Sequence, residues 1–424
     1  MLAGGEGELI REAMRFLTTL GEAYDAERMV DICYANIILG SSFWGKGALT
    51  RQRVEEAVDL GLRVKVPTTF NNWGMGCPST PGTIWDSLEV PPKVKEQVVW
   101  ENELARRMGV VPTCTCAPFL NCDIGVIPKG AHISTVESSA IVYFNSVLGA
   151  RTNRDCVASF FAAITGKYPL CGFHLAENRY GNYHLDVEAR VDSPLSYGLL
   201  GLCAGKIVGR ETPVFTGLNR PSNYALMSLS AALASSGAVT MFHIVGHTPE
   251  APDFGTAFGG KSPVSAYTIT QADMDAAYRS LSDVEGRIDF VCLGCPHYSI
   301  YEMACVAELL DGKKVCEGIT VWICVSAATA QFAEMAGYAE KIRNAGAIIM
   351  SGPNFCPVFG PGKPCPEYAF AHPDYSVGNF ATESVKQAFY AKTNLRARNV
   401  FLGSREQCIE AAITGAWEKG QTWV

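Results

Sequence analysis

Apolar residues along this chain fall into short β-rich runs separated by stretches of helical period, and the two patterns alternate. Residues 29–39 and 62–67 read as strands on either side of an amphipathic helix over 50–60, and a helix over 92–108 feeds a short strand over 110–114. The rhythm returns downstream: helices over 219–235, 270–280, 299–309 and 327–345 alternate with strands over 239–245, 289–293, 319–325 and 347–350. Such alternation predicts α/β layers rather than an all-helical or all-β protein. The uncharged run 225–246 has the length to cross a bilayer, but Ser228, Ser230, Ser235, Ser236 and Gly237 interrupt it, so a buried helix, a turn and a buried strand are expected there.

Four Gly- and Pro-rich segments, 73–92, 121–132, 248–263 and 351–373, are too long for ordinary connections and are expected to carry function. The 424 residues, 48% of them hydrophobic, suffice for two to three domains, with passages between lobes suggested near 186–210 and 248–270. Charged residues make up 18%, the formal net charge is -7, and neither sign forms a long run, which argues against nucleic acid and membrane surfaces as partners. Residues 1–8 carry Glu6 and Glu8 without a basic start or a long apolar core, so no secretory leader is read and a cytoplasmic location is expected.

Sixteen cysteines change the picture, because in a reducing compartment they do not imply a disulfide framework. Cys33, Cys156, Cys171, Cys203, Cys305, Cys316, Cys324 and Cys408 sit in apolar or helical contexts and are expected to act as small hydrophobes. The chemically suggestive thiols gather at three strand ends. Cys114 and Cys116, with Cys122 following, succeed the strand at 110–114. Cys292 and Cys295 lie in Cys-Leu-Gly-Cys-Pro-His-Tyr-Ser299, where Ser299 and Glu302 form a helix-opening capping box, and Cys356 follows the strand at 347–350. Three such thiols suit an iron–sulfur cluster with one iron left open. The spacing equally fits a closed zinc site on Cys114, Cys116, Cys292 and Cys295, a Cys292/Cys295 redox pair, or inert core thiols.

The loop Gly40-Ser-Ser-Phe-Trp-Gly-Lys-Gly47 has the strand-to-helix setting of a phosphate cradle, but Gly47 stands where a nucleoside-triphosphatase needs Ser or Thr, so nucleotide hydrolysis is disfavoured. A small-anion loop and an ordinary turn remain equally consistent with it. Ser134 and Glu137 read as a capping box, which would make Glu137 a backbone cap. The series Glu137, Ser138, Asn145, Arg151, Thr152, Asn153 and Arg154 is costly to bury unless its members pair with one another or with a ligand. His243, His247 and His297 read as packed residues rather than bases, and Lys386 by itself reads as solvated.

The eighteen residues Glu137-Ser-Ser-Ala-Ile-Val-Tyr-Phe-Asn-Ser-Val-Leu-Gly-Ala-Arg-Thr-Asn-Arg154, together with Leu293-Gly-Cys-Pro-His-Tyr-Ser299, resemble the aconitase X family, in particular its large, catalytic subunit. The resemblance runs over nearly the whole chain, 1–424, through Thr113-Cys-Thr-Cys-Ala-Pro-Phe119, His243-Ile-Val-Gly-His-Thr-Pro-Glu250 and the region from Cys356 to Lys386. It implies an aconitase-like fold of several α/β lobes with an iron–sulfur site at strand-end loops between them, and a hydro-lyase acting on a small hydroxylated acid. By motif, Cys116, Cys295 and Cys356 would hold the cluster, [4Fe-4S] before [2Fe-2S] or [3Fe-4S]. Gly40, Ser41, Ser42, Asn71, Asn72, Glu137, Ser138 and Lys386 would bind substrate. Pro112-Thr-Cys-Thr-Cys-Ala-Pro118 and Glu177-Asn-Arg-Tyr-Gly181 lean toward the cis-3-hydroxy-L-proline dehydratases of the family, with phosphomevalonate dehydratase as the alternative and a non-catalytic zinc-binding scaffold as the reading from another class. In that family the proton-abstracting serine resides in a small swivelling subunit or fused segment, so the resemblance implies a heterodimer with such a subunit.

Overall fold

The computed structural model describes residues 1–39, 51–71, 92–120, 127–155, 157–351, 378–393, 397–418 and 423. Three parallel sheets follow one another along the chain. The first contains β1 (Ala35–Ile37), β2 (Thr68–Phe70) and β3 (Ser134–Thr135) in the order β2-β1-β3. The second contains β4 (Tyr183–Val187), β5 (Pro213–Thr216), β6 (His243–Ile244) and β7 (Ser265–Ile269) in the order β6-β5-β4-β7. The third contains β8 (Phe290–Tyr298), β9 (Thr320–Val325), β10 (Ile348–Ser351), β11 (Asn379–Thr382) and β12 (Asn399–Leu402) in the order β10-β9-β8-β11-β12. Two short antiparallel pairs, Met29–Asp31 with Lys167–Pro169 and Gly286–Arg287 with Ala416–Trp417, complete the described pairings.

Parallel strands are covered on both faces and therefore read as continuous apolar runs rather than alternating ones. All nine residues of β8 are buried, and Phe290 packs edge-on to Trp322 of β9 at 4.9 Å between ring centroids. Side chains of that size each contribute about 1.5–3 kcal/mol on burial. In the second layer, helix Pro194–Val208 begins at a capping box on Ser193 and lies against helix Asn223–Ser236. Gly201 sets their separation: a Cβ there would stand 2.7 Å from Ala232 Cβ and 2.9 Å from the Leu229 carbonyl oxygen, so any side chain would drive the helices apart. The run 225–246 is a helix, a turn at Gly237 and a strand, as its serines imply. Among the described residues no helix is long and apolar enough to cross a membrane.

Several elements depart from the pattern. The run 29–39 is split between two sheets, Met29–Asp31 and β1. Residues 62–67 are irregular, and the strand starts at Thr68. The run 110–114 makes only one bridge, Thr69 to Val111, because Cys114 turns the chain with φ of 48°. The helix expected over 327–345 breaks into Ala327–Met335 and Tyr338–Asn344 at Gly337, whose φ of 76° ends the first helix. Residues 186–210 run from β4 into a buried helix and 248–270 lead into β7, so both suggested lobe crossings lie within the second layer. Segment 248–263 builds a small local core of Ala251, Ala257 and Phe258 against Val214. Cys33 and Cys305 are exposed rather than packed inside.

Candidate active site

From β8 the third sheet grows through β9 to β10 on one side, and the chain then returns to lay β11 and β12 on the other. Loops leaving the carboxyl ends of β8 and β11 therefore diverge, and the crevice between them is where open α/β sheets bind ligands. Cys295 lies at the end of β8 and Lys386 just beyond β11. Pairing of β8 with β9 skips from Leu293 to Tyr298, so Gly294 to His297 bulge out of the ladder. Gly294 permits the bulge: its φ is 90°, and a Cβ would stand 2.3 Å from the Cys324 carbonyl oxygen.

The first sheet presents its own carboxyl edge. Asn71 directly follows β2, is fully buried, and donates its N–H to the Ile37 carbonyl at 2.9 Å. Glu137 follows β3 by two residues and starts helix Ser138–Ser146. It is not the capping box the sequence suggests: Ser134 sits in β3 with its hydroxyl 2.9 Å from Ser159 Oγ, and the Glu137 side chain makes no cap hydrogen bond. That carboxylate instead receives Lys386, whose Nζ donates to Glu137 Oε1 at 3.2 Å and to Ser139 Oγ at 3.1 Å. The Ser139 hydroxyl donates in turn to the same Glu137 oxygen at 3.0 Å.

Lys386 is thus buried, not solvated, with 7% of its surface exposed. Burial by itself would push its pKa down, but the Glu137 carboxylate, then Cys295, Tyr390 and Cys116, hold it above the ordinary lysine value. The ammonium therefore stays charged next to two of the expected cluster ligands. Cys116 and Cys295 are both buried. The turn at Cys114 brings Thr115 to 2.9 Å from His297 Nδ1, and the His297 N–H donates to Cys116 Sγ at 3.4 Å, so the two cysteine motifs interlock. An N–H donor and a nearby cation favour the thiolate form, so Cys116 and Cys295 would suit as two ligands of an iron–sulfur centre.

Cys292 Sγ is 3.7 Å from Cys324 Sγ and accepts from Gln387 Nε2 at 3.4 Å, while Cys114 Sγ is 3.9 Å from Asn102 Oδ1. Among the described residues no three His, Cys, Asp or Glu side chains are grouped to hold a metal. Cys356, Gly40, Ser41, Ser42 and Asn72 lie outside the described residues. Of the two serines at 138 and 139, the second makes the lysine contact, a distinction the motif does not signal.

The polar series after Glu137 pairs with the protein itself. Asn145 donates to the carbonyls of Thr152 and Thr240, Asn153 accepts from Phe173 N–H, and Arg154 donates to the Ala234 carbonyl. Arg179, within the Glu177-Asn-Arg-Tyr-Gly181 motif, ties Asn145 to Glu250, the latter at 2.7 Å. These bonds clamp the first layer to the second. His243 Nε2 is engaged by the Arg179 carbonyl at 2.7 Å, and burial pushes its pKa down. His247 Nε2 lies 3.4 Å from the Leu218 carbonyl and His297 Nδ1 2.9 Å from Thr115 Oγ1, so each of the three rings has a hydrogen-bonding neighbour within the protein.

Comparison with known proteins places this geometry. The chain matches the aconitase X first domain over residues 1–177, the second domain over 181–279 and the third domain over 288–414. It is 38% identical over 364 residues to the phosphomevalonate dehydratase large subunit of Methanothermobacter thermautotrophicus, covering 85% of this chain and 86% of that one. It is 34% identical over 427 residues to the cis-3-hydroxy-L-proline dehydratase of Pseudomonas aeruginosa, covering 98% of this chain and 69% of that one. The crystal structure of Thermococcus kodakaraensis aconitase X in its holo-form superposes with a TM-score of 0.78 at 32% identity, covering 97% of both chains. The switch-point crevice thus lies where the third family domain meets the first, and the chain belongs to the aconitase X family of dehydratases.

Proposed function

We propose that this chain is the substrate- and cluster-binding subunit of a cytoplasmic dehydratase acting on cis-3-hydroxy-L-proline, releasing water and a pyrroline carboxylate. The observation that carries the reading is the buried Lys386–Glu137 pair next to Cys116 and Cys295. A cyclic amino acid is a zwitterion, and a paired ammonium and carboxylate in a dry crevice complement its two charges: Lys386 binds the substrate carboxylate, and Glu137 faces the ring ammonium. Ser139 holds both protein groups in place. Asn71 and Ser138, with Gly40, Ser41, Ser42 and Asn72, complete the proposed substrate shell.

Cys116 and Cys295, with Cys356, would hold the iron–sulfur cluster, most simply a [4Fe-4S] centre. When bound, such a cluster supplies a Lewis-acidic iron for the departing hydroxyl. The α-proton goes to a base on a small swivelling-domain partner, whose closure over the crevice would exclude water. Several relatives, the Methanothermobacter thermautotrophicus protein among them, bear the name large subunit, in keeping with such a partner.

A second reading, dehydration of 5-phosphomevalonate, is favoured by the 38% identity to a large subunit of similar length. Parallel turnover of both compounds by the anaerobically reconstituted chain with its small partner tests the two. Pyrroline carboxylate formation supports the first reading, turnover of the phosphate ester alone supports the second, and activity on neither overturns both.

A further inference from the structure

Beyond the groups that face the crevice, a closed polar network lies behind it. Glu383 follows β11 directly, three residues before Lys386, and Tyr298 ends β8, three residues after Cys295. Glu383 Oε1 accepts the Tyr298 hydroxyl and also the Tyr224 hydroxyl, the latter at 2.6 Å. Arg405 donates from Nε to the Tyr298 oxygen at 3.1 Å and stands 3.8 Å from Glu383 Oε2, with its guanidinium 4.9 Å from the Tyr298 ring and 5.7 Å from the Tyr224 ring. Glu383, Tyr224 and Tyr298 are buried, and Arg405 nearly so. Tyr224 comes from helix Asn223–Ser236 of the second layer and Arg405 opens helix Arg405–Thr414, so with β8 and β11 the network reaches four elements around the switch point.

A buried carboxylate and guanidinium are costly to desolvate, and apolar side chains of the same volume would often stabilise this spot as well or better. The position of the network suggests what the ions supply instead. Thr382 donates to Gln387 Oε1 at 2.6 Å and accepts from the Ser384 N–H at 3.0 Å, while Ser384 Oγ accepts from the Gln387 N–H at 3.2 Å. The turn 382–387 is thereby a rigid unit, with Glu383 at one end and Lys386 near the other. Fixing Glu383 to Tyr298 fixes Lys386 relative to the strand that carries Cys295.

We infer that Glu383 is a positioning residue which, through Tyr298 and Arg405, sets the placement of Lys386 against the Cys295 bulge. The inference rests on the reading of Lys386 as the substrate-anion ligand. Tyr298 is the link that matters for this spacing, whereas Tyr224 anchors the network to the neighbouring helix. A displacement of about 1 Å at a reacting centre can cost up to a hundredfold in rate.

The test uses Glu383→Ala, with Glu383→Gln, Tyr298→Phe and Tyr224→Phe as milder variants that keep the fold if alanine does not. Crystal structures of the full chain give a readout independent of turnover. Glu383→Ala and Tyr298→Phe should move Lys386 Nζ beyond 4 Å, the usual limit of an ion pair, from Glu137, while Tyr224→Phe leaves the contact in place. With the reconstituted two-subunit enzyme, Glu383→Ala should lose roughly tenfold to a hundredfold in kcat/KM at unchanged iron content. Glu383→Gln, which keeps an acceptor for both tyrosines, should recover most of that loss. An undisturbed Lys386–Glu137 contact in Glu383→Ala or, failing that variant, in Tyr298→Phe would overturn the inference, as would equal kinetics in Tyr298→Phe and wild type. A displaced lysine in an enzyme whose wild type dehydrates no hydroxy acid would leave the positioning role standing and refute the function instead.

Discussion

Lys386 Nζ stands 3.2 Å from Glu137 Oε1, a carboxylate 249 residues earlier in the chain and at the edge of a different parallel sheet. The contact joins the carboxyl edge of the first sheet to that of the third, and the two described cysteine motifs lie close enough to the ammonium to raise its pKa.

Replacing that lysine tests its role most directly. Lys386→Ala should keep the cluster and lose about 1.5–3 kcal/mol of transition-state binding, or tenfold to a hundredfold in kcat/KM. Wild-type kinetics at full iron content would return Lys386 to a structural role.

Metal content separates the cluster from its zinc alternative. Anaerobically purified chain should contain iron and acid-labile sulfide, and Cys116→Ser and Cys295→Ser should each lose most of both. Stoichiometric zinc without sulfide would instead favour a zinc-binding scaffold.

Acid should weaken the first layer through His174. Its Nδ1 is 2.9 Å from that of His132, its ring stacks on Tyr168, and burial, then the His132, Arg179 and Arg151 charges, push its pKa down to about 3. A histidine with a depressed folded pKa contributes stability that is full above its ordinary value of about 6.5 and is lost as pH falls toward 3. Wild type should therefore lose up to about 1.4 kcal/mol per pH unit across that window, and His174→Gln should show a shallower slope. Parallel slopes in denaturant titrations from pH 7 to pH 4 would contradict this.

The chain should also depend on a partner. Alone it should bind cluster yet turn over negligibly until a small subunit of roughly 130 to 150 residues, the usual size of one domain, is added. Full activity of the purified chain alone would redirect the search for a base to His243, His247 and His297.

The layers were legible in the sequence because buried parallel strands write themselves as continuous apolar runs, and β8, β9 and the helix after Ser299 fall close to where the pattern puts them. Boundaries failed where tertiary contacts override local pattern, as at Cys114, whose positive φ serves the interlock with His297 rather than a strand. Lys386 looked solvated because its neighbours Thr382, Glu383 and Ser384 are polar; that they bond one another, and that the counter-charge lies on another sheet, has no local trace. The series from Asn145 to Arg154 needs partners, as its polarity implies, and finds them in backbone carbonyls, N–H groups and Arg179 rather than in a ligand.

Lys386 and Glu137 are held by helix starts, whereas Asn71 sits on the carboxyl side of its own strand. Each loop can therefore be exchanged without rethreading a sheet. A lineage could retune one wall of the crevice at a time while the cysteine interlock stays untouched, so that relatives named for an amino acid and for a phosphate ester share one frame. For an engineer, the practical unit of substitution is the strand-end loop, and the switch point is the part to leave alone.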